Sequence, residues 1–152
     1  MKKNVYAILL LFTFLLILSG CGQDEDRTPV TGERKEEISS FVNNFKQEML
    51  IALNEDDFNR LEPFLIVNNH FYHSVRRYLS DAQSKATNAK LHDFIVESVE
   101  VNDYDEYFVN IYEKMEVTER QLEPQIEESK HTYVIVEIKN QLKLVEIQVR
   151  RE

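Results

Sequence analysis

The sequence predicts an α+β domain in which N-terminal helices pack on a twisted antiparallel sheet of four strands. Two observations support this prediction. Apolar residues recur at helical spacing in the first half of the chain, and they alternate with polar residues in the second half. Helices followed by an antiparallel meander are typical of the α+β class. We place one such domain at residues 36–152, a length that suits a single hydrophobic core.

The first helix is predicted over residues 35–53. Lys46 is assigned to its polar side, and Phe45 is expected to face the sheet from the middle of the helix. Six apolar residues at helical spacing form its inward stripe: Ile38, Phe41, Val42, Phe45, Met49 and Ala52.

Three shorter helical segments are predicted to follow. Asp56 is expected to cap a first turn, and Pro63 to open a second one, where its missing N–H does no harm. Asn68 or Asn69 is expected to cap a third helix, which fades into the polar residues 80–90.

Four stretches of period-two alternation predict the strands: Val99–Val101, Tyr107–Val117, Tyr133–Ile138 and Lys143–Val149. Residues 121–129 are predicted to be a loop, and Asn140 and Gln141 a tight turn. The predicted domain contains no glycine, so its turns are expected to use Asn and Asp. The missing glycines also argue against phosphate-cradling loops, dinucleotide fingerprints and nucleophile elbows.

The N-terminus has the pattern of a secretory signal, with two lysines, an apolar run and small residues. The run Leu18-Ser19-Gly20-Cys21 resembles the lipobox of bacterial lipoproteins. This resemblance implies that residues 1–20 are removed and that Cys21 carries a diacylglyceryl group, whose two acyl chains suffice for stable anchoring. The apolar run would reach only roughly 21 Å, which is short of a bilayer core of about 30 Å. Residues 21–35 are predicted to be a flexible tether.

The predicted mature chain is strongly acidic. Removing the two lysines of the leader leaves 16 basic residues against 27 acidic ones, a net charge of about −11. This charge argues against a nucleic-acid partner and against peripheral binding to anionic lipid, so the membrane contact is expected through Cys21 alone. Cys21 is the single cysteine, and the domain is therefore expected to fold without a disulfide.

One segment carries a family resemblance. Residues 57–65 read Asp-Phe-Asn-Arg-Leu-Glu-Pro-Phe-Leu, and Phe71-Tyr72, Tyr78-Leu79 and Tyr112–Val117 follow downstream. Together these segments resemble the C-terminal extracytoplasmic domain of the staphylococcal TcaA family of membrane proteins, which is linked to teicoplanin susceptibility. The resemblance covers nearly all of residues 36–152. It implies a nuclear-transport-factor-2-like (cystatin-like) cone fold and brings no set of catalytic residues.

Two groups of residues are candidate metal sites. His70 and His73 share one side of a helix, and His92 or Asp93 could supply a third ligand. No further Cys/His cluster supports them, so we expect a surface or groove pair and no bound metal. The acidic turn at Asp103 and Asp105 lacks the glycine of a calcium loop and is expected to be a solvated turn.

Tyrosines could line the open end of a cone; the candidates are Tyr72, Tyr78, Tyr107, Tyr112 and Tyr133. Cone folds such as ketosteroid isomerase place a carboxyl group and a tyrosine in an apolar pocket, which makes Asp93 and Glu113 the carboxylates of interest. We nevertheless expect no catalytic residue and no cofactor, because no nucleophile or acid–base pair stands out. The expected contact region for a partner comprises His70, Tyr72, His73, Asp93, Tyr112 and Glu113.

These observations predict a lipid-anchored binding module at the extracytoplasmic face of the cytoplasmic membrane of a Gram-positive bacterium. Its expected partner is an envelope protein or a cell-wall component, in a role connected with cell-wall or antibiotic stress. The alternative is a small-ligand carrier or a pocket enzyme on the same fold.

Overall fold

The computed structural model describes residues 26–120 and 122–151. Five antiparallel strands form one sheet in the order β1-β2-β3-β4-β5, and the helices pack on one of its faces. The elements are β1 (Thr28–Pro29), α1 (Gly32–Glu55), a 3-10 helix (Phe58–Phe64), α2 (His70–Ser84), β2 (Thr87–Val101), β3 (Tyr107–Glu119), β4 (Gln125–Ile138) and β5 (Gln141–Val149). The predicted α+β class and the four long strands are confirmed, and β1 adds a short fifth strand.

Helix α1 supplies the largest part of the helical side of the core. Its inward stripe includes Ile38 and Val42, and Phe45 packs edge-on against Tyr133 of β4 with 6.1 Å between the ring centroids. The assignment of Lys46 to the polar side is wrong, because this residue is only 6% exposed. It follows Val42 by four residues, so it lies one turn further along the same side of the helix.

The segment between the two helices is a single 3-10 helix rather than two separate turns. Asp56 ends α1 in a left-handed conformation (φ 58°), and its N–H donates to the carbonyl of Ala52. Asp57 is the actual N-cap of the 3-10 helix, where its side chain accepts from the Asn59 N–H at 3.3 Å. Pro63 lies inside this 3-10 helix and does not open a new turn.

Packing explains why the segment at residues 57–65 is distinctive. Leu61 and Leu65 are buried, and Leu65 also forms an isolated bridge to Leu144 on the outer edge of β5. The Phe64 ring lies 5.5 Å from the ring of Phe41 and 5.7 Å from the ring of Phe45. The segment therefore ties α1 to the far edge of the sheet.

Helix α2 begins as predicted, with Asn69 as its N-cap. The Asn69 side chain accepts from the Tyr72 N–H at 2.7 Å, which satisfies one of the free donors of the first turn. The helix ends at Ser84, and residues 87–90, which were predicted to belong to the polar stretch into which this helix fades, already belong to β2.

Strand β2 is far longer than the sequence pattern indicated. Its register against β3 shifts between Leu91 and Asp93 and again between Val96 and Ser98. Each bulge inserts one residue and moves the following side chains to the other face, so the period-two alternation is broken. Strand β4 likewise begins at Gln125, inside the stretch that was predicted to be a loop.

The turns use asparagine and aspartate in left-handed conformations, as expected because residues 36–152 contain no glycine. Positive φ angles occur at Asp56, Asn68, Asp105 and Asn140. Ala86, Arg120 and Lys139 adopt them as well, which the sequence did not predict. In the β2–β3 turn, the Asn102 side chain accepts from the Tyr104 and Glu106 N–H groups, each at 3.0 Å.

The fold begins earlier than residue 36. Thr28 and Pro29 pair with Val101 and Glu100 of β2, and α1 starts at Gly32, so part of the predicted tether belongs to the folded domain. No helix among the described residues is long and apolar enough to cross a membrane. The lipobox residues Leu18, Ser19 and Gly20 and the lipidation site Cys21 lie outside the described residues, and their role stays a prediction.

Candidate functional site

An acidic side chain interrupts the apolar inner row of β3. Val109 and Ile111 are fully buried against the helices, and Met115 packs against the same core. Glu113 occupies the position between Ile111 and Met115 and is only 6% exposed. Of the three predicted contact residues on the sheet, Asp93, Tyr112 and Glu113, it is the one that points into the space between the sheet and the helices.

Two basic side chains reach this carboxylate from different elements. Lys46 lies on α1, and its Nζ is 2.6 Å from Glu113 Oε2. His131 comes from β4, and its Nε2 lies 3.2 Å from Glu113 Oε1. We call Lys46, Glu113, Ser129 and His131 the inner cluster.

The fourth member of the inner cluster completes the contacts around Oε1. Ser129 pairs directly with Glu113 across β3 and β4, and its hydroxyl donates to Oε1 at 3.4 Å. The same hydroxyl lies 2.9 Å from His131 Nε2. Because Ser129 and His131 are two residues apart in one strand, they share the inner face of the sheet.

The electrostatics of the inner cluster favour an ionised carboxylate. Burial alone would raise the pKa of Glu113, because a charged group loses its hydration. The hydrogen bond from His131 and the positive charge of Lys46 outweigh that effect and lower this pKa to about 2. At neutral pH Glu113 is therefore an anion held between two basic groups.

Two tyrosines lie next to the inner cluster. Tyr133 is 3% exposed, and its burial, together with the nearby negative charge of Glu113, raises the pKa of its hydroxyl. Tyr78 of α2 is half exposed, and burial and the charges of Glu113 and Glu127 raise the pKa of its hydroxyl as well. Both phenols are therefore neutral over the physiological pH range.

The inner cluster contains the residue types of a hydrolytic triad in a different geometry. In a Ser-His-Asp triad the serine contacts one ring nitrogen of the histidine, and the carboxylate contacts the other. Here both Ser129 Oγ and Glu113 Oε1 face the same nitrogen, His131 Nε2. The opposite nitrogen, Nδ1, is buried and has no hydrogen-bond partner among the described residues. The carboxylate therefore cannot orient the ring while the ring withdraws a proton from the serine.

The structure separates the other predicted contact residues from Glu113. Tyr112 neighbours Glu113 in β3 and so points to the outer face of the sheet, where burial and a hydrogen bond with Glu128 raise its pKa. Asp93 pairs with Lys114 on that outer face and is exposed. These residues do not form one site with the inner cluster.

The residues predicted on α2 take two different environments. His70 and His73 are exposed on the helix surface, as expected for a surface pair. Tyr72 is buried, and its hydroxyl donates to Glu62 Oε1 of the 3-10 helix at 2.8 Å. Within residues 26–120 and 122–151, no three His, Cys, Asp or Glu side chains are grouped so that they could hold a metal ion.

Sequence reasoning missed three members of the inner cluster. Lys46 could have been found from its spacing of four residues after Val42, which places it on the inward stripe. Ser129 fell in the predicted loop, and His131 lay before the predicted start of its strand. The sequence contained one further signal, which was Glu113 itself. A carboxylate in an apolar, inward-facing row requires a buried cation as its partner.

Comparisons with known proteins agree with this architecture. A sequence model of the family described as the TcaA protein NTF2-like domain matches residues 34–148. An uncharacterized protein of Alkalihalophilus pseudofirmus is 42% identical over 120 residues, which cover 78% of each chain. The chain therefore belongs to the TcaA NTF2-like domain family, and the resemblance read from the sequence is confirmed.

Solved structures show the same fold at low sequence identity. The intermembrane space region of the chloroplast protein ARC6 superposes with a TM-score of 0.66 at 14% identity, covering 82% of this chain and all of that one. Aln2 from a Streptomyces species gives a TM-score of 0.54 at 14% identity, covering 76% and 90%. A protein with a cystatin-like fold from Nostoc punctiforme gives 0.51 at 13% identity, covering 80% and 93%. These similarities confirm the predicted cone fold.

Proposed function

We propose that this protein is a lipid-anchored extracytoplasmic binding module of the bacterial envelope, whose domain contacts a partner and performs no chemistry. Membership of the TcaA NTF2-like domain family supports an envelope-associated role. The secretory pattern and the lipobox-like run ending at Cys21 support export and anchoring at the outer face of the cytoplasmic membrane.

One observation supports a non-catalytic role. The Glu113 carboxylate is buried and enclosed by the other side chains of the inner cluster. A general acid or base works best with a pKa near the operating pH and with access to a substrate proton. Glu113 is almost fully buried, is ion-paired with Lys46 and hydrogen-bonded to His131, and has a pKa of about 2. We therefore assign it the role of a structural ion pair that joins α1 to the sheet.

The proposed partner is an envelope protein or a cell-wall component, in a role connected with cell-wall or antibiotic stress. Exposed polar side chains of α2, including His70 and His73, remain available for such a contact. Contact through the side chain of Tyr72 is not part of this proposal, because that side chain is packed against the 3-10 helix.

The proposal is tested by neutralising the ion pair without leaving one charge alone. The variant Lys46→Met/Glu113→Gln keeps an amide oxygen for His131 and Ser129 while removing both charges. Expressed in a deletion strain under cell-wall antibiotic stress, it should restore growth as well as the wild-type gene does. Loss of complementation by a variant that is folded, exported and present at normal levels would overturn the proposal.

The lipid anchor has its own test. We expect Cys21→Ala to abolish incorporation of radiolabelled palmitate and to block cleavage before residue 21, because acylation of this thiol precedes processing of a lipobox. Ser40→Ala, which is exposed in α1, serves as the control and should be processed normally. Normal processing of the Cys21→Ala protein would contradict the anchor.

A pocket enzyme or a small-ligand carrier on the same cone is the second candidate. The observation that favours it is the meeting of a carboxylate, a histidine and a serine on the inner face of the sheet, with all their contacts within 3.4 Å. The two candidates differ in the complementation experiment, because an enzyme of this kind would lose function in the folded Lys46→Met/Glu113→Gln variant.

A further inference from the structure

The chain enters the fold at one end of the sheet. Strand β1 pairs with the last residues of β2, and the β2–β3 and β4–β5 turns lie at the same end. The N-terminal turn of α1 is fixed there as well, because Arg34 contacts the Tyr107 hydroxyl at 3.0 Å and Glu137 at 2.5 Å. We call this end, comprising residues 27–34, 102–107 and 137–141, the anchor pole.

The opposite end of the sheet is the far pole, which we define as residues 84–89, 119–120 and 122–125. Asn54, near the end of α1, reaches it by two hydrogen bonds to the backbone of Ala89, each 3.0 Å long. An open groove of about 640 Å³ lies there, and Leu122 on its rim is 61% exposed. Helix α1 runs from one pole to the other, and its 24 residues correspond to about 36 Å.

The connection between the anchor pole and the proposed lipid is short. The guanidinium group of Arg27 lies 3.5 Å from the centroid of the Phe108 ring, on the outer face of β3. Thr28 is then paired with Val101. Cys21 and Arg27 are only six positions apart, and the chain between them, which we call the leash, spans at most about 22 Å.

We infer that the anchored domain is held with its anchor pole facing the bilayer surface and its far pole directed away from the membrane. This inference rests on the proposed lipidation of Cys21 and on the place where the chain enters the fold. The leash is shorter than α1. The anchor pole therefore stays near the lipid, whereas the far pole can lie farther from the membrane than the leash could reach.

The charge of the anchor pole allows it to lie near the bilayer surface but opposes its insertion into the bilayer. Asp103 and Asp105 are exposed in the β2–β3 turn, and anionic lipid repels such groups within a Debye length. The β2–β3 turn therefore lies close to the bilayer surface, which orients the domain, but does not insert into the bilayer. The far pole, with Leu122 and its groove, becomes the surface that faces the cell wall.

The orientation is measurable with single cysteine labels, because the acylated Cys21 has no free thiol. Tyr104→Cys labels the anchor pole, where the native side chain is 77% exposed, and Leu122→Cys labels the far pole. The lipidated proteins are reconstituted in vesicles of phosphatidylcholine and phosphatidylglycerol that carry a headgroup-linked acceptor dye. We expect energy transfer from residue 104 to be at least about twofold greater than from residue 122, given their separation along α1. Equal or reversed transfer would overturn the orientation.

Two controls distinguish the effect of the leash length from the presence of the lipid anchor. A flexible Gly/Ser insertion of about 20 residues after Gln23 lengthens the leash by about 25 Å and should reduce the difference between the two labels. An unchanged difference would show that the leash does not set the orientation. Labelling of the chain without an added cysteine would instead show a free Cys21 thiol, and it would overturn the proposed anchor together with the orientation that depends on it.

Discussion

At the scale of single residues, the most informative side chain is Lys46. It is a charged residue on the apolar stripe of α1, where it would be costly unless a carboxylate met it. Glu113 supplies that carboxylate from the centre of the sheet, at 2.6 Å. Each residue explains the burial of the other, and this mutual dependence leads to a prediction about their removal.

We predict that Lys46→Ala lowers the free energy of unfolding by about 3–5 kcal/mol, because it leaves the buried Glu113 carboxylate without its cation. The Lys46→Met/Glu113→Gln variant should be less destabilised than Lys46→Met or Glu113→Gln alone, by a coupling of about 1–3 kcal/mol in a double-mutant cycle. Urea denaturation of the wild type, these two single variants and the double variant measures this coupling. Additive effects, or a Lys46→Ala protein as stable as wild type, would show that the ion pair does not support the fold.

Phe45 tests the apolar side of the same helix. It is 1% exposed and contacts the aromatic rings of Phe64 and Tyr133, so Phe45→Ala should cost about 3–5 kcal/mol in unfolding free energy. Gln47→Ala, two residues away and exposed, should change it by less than about 0.5 kcal/mol. Similar denaturation midpoints for the two variants would contradict the orientation of α1.

At the scale of elements, the sequence predicted regular pieces well and irregular ones poorly. Helix α1 and strand β3 have uninterrupted periodicity, and both were placed to within a few residues. Strand β2 was predicted over only its last few residues, because its two bulges change the face of the side chains twice. Strand β4 was predicted too short because Gln125–Glu128 are all exposed, and three of these four residues are polar. Paired backbone rather than an apolar pattern holds them in the sheet.

The junction between α1 and β2 depends on one amide side chain. Asn54 accepts from the Ala89 N–H and donates to the Ala89 carbonyl, as a neighbouring strand would do. Asn54→Ala should therefore cost about 1–2 kcal/mol and accelerate hydrogen exchange at the Ala89 amide. Asn44→Ala, exposed in the same helix, is the control. Unchanged protection at Ala89 in the Asn54 variant would mean that this pairing is not formed in solution.

At the scale of the whole molecule, the fold could be predicted from the sequence, but the site could not. The cone requires only a long amphipathic helix and a twisted meander, and both leave strong periodic signals. The inner cluster brings together residues 46, 113, 129 and 131 from three elements, and it depends on strand register that no local pattern reveals. Of the predicted contact residues only Glu113 belongs to it, because neighbours such as Tyr112 point to the other face of the sheet.

The stability of the whole domain should depend on pH through the ionisation of Glu113. Its pKa is lowered from 4.5 to about 2 in the folded protein, so its contribution to stability is fully present above about pH 4.5 and is lost as the pH falls towards 2. Denaturation midpoints should therefore fall across this range. The decline should be smaller in the Lys46→Met/Glu113→Gln variant, and an identical decline would assign the acid sensitivity to other carboxylates.

We propose that Glu113 is a structural anion and not a general acid or base. Its side-chain carboxyl ¹³C resonance, followed by NMR as a function of pH in the folded domain and assigned with the Glu113→Gln variant, measures this directly. We predict that the resonance shows no titration between about pH 5 and 8 and moves only near pH 2. A midpoint between about 6 and 7, the range to which enzymes tune catalytic carboxyl groups, would contradict the account.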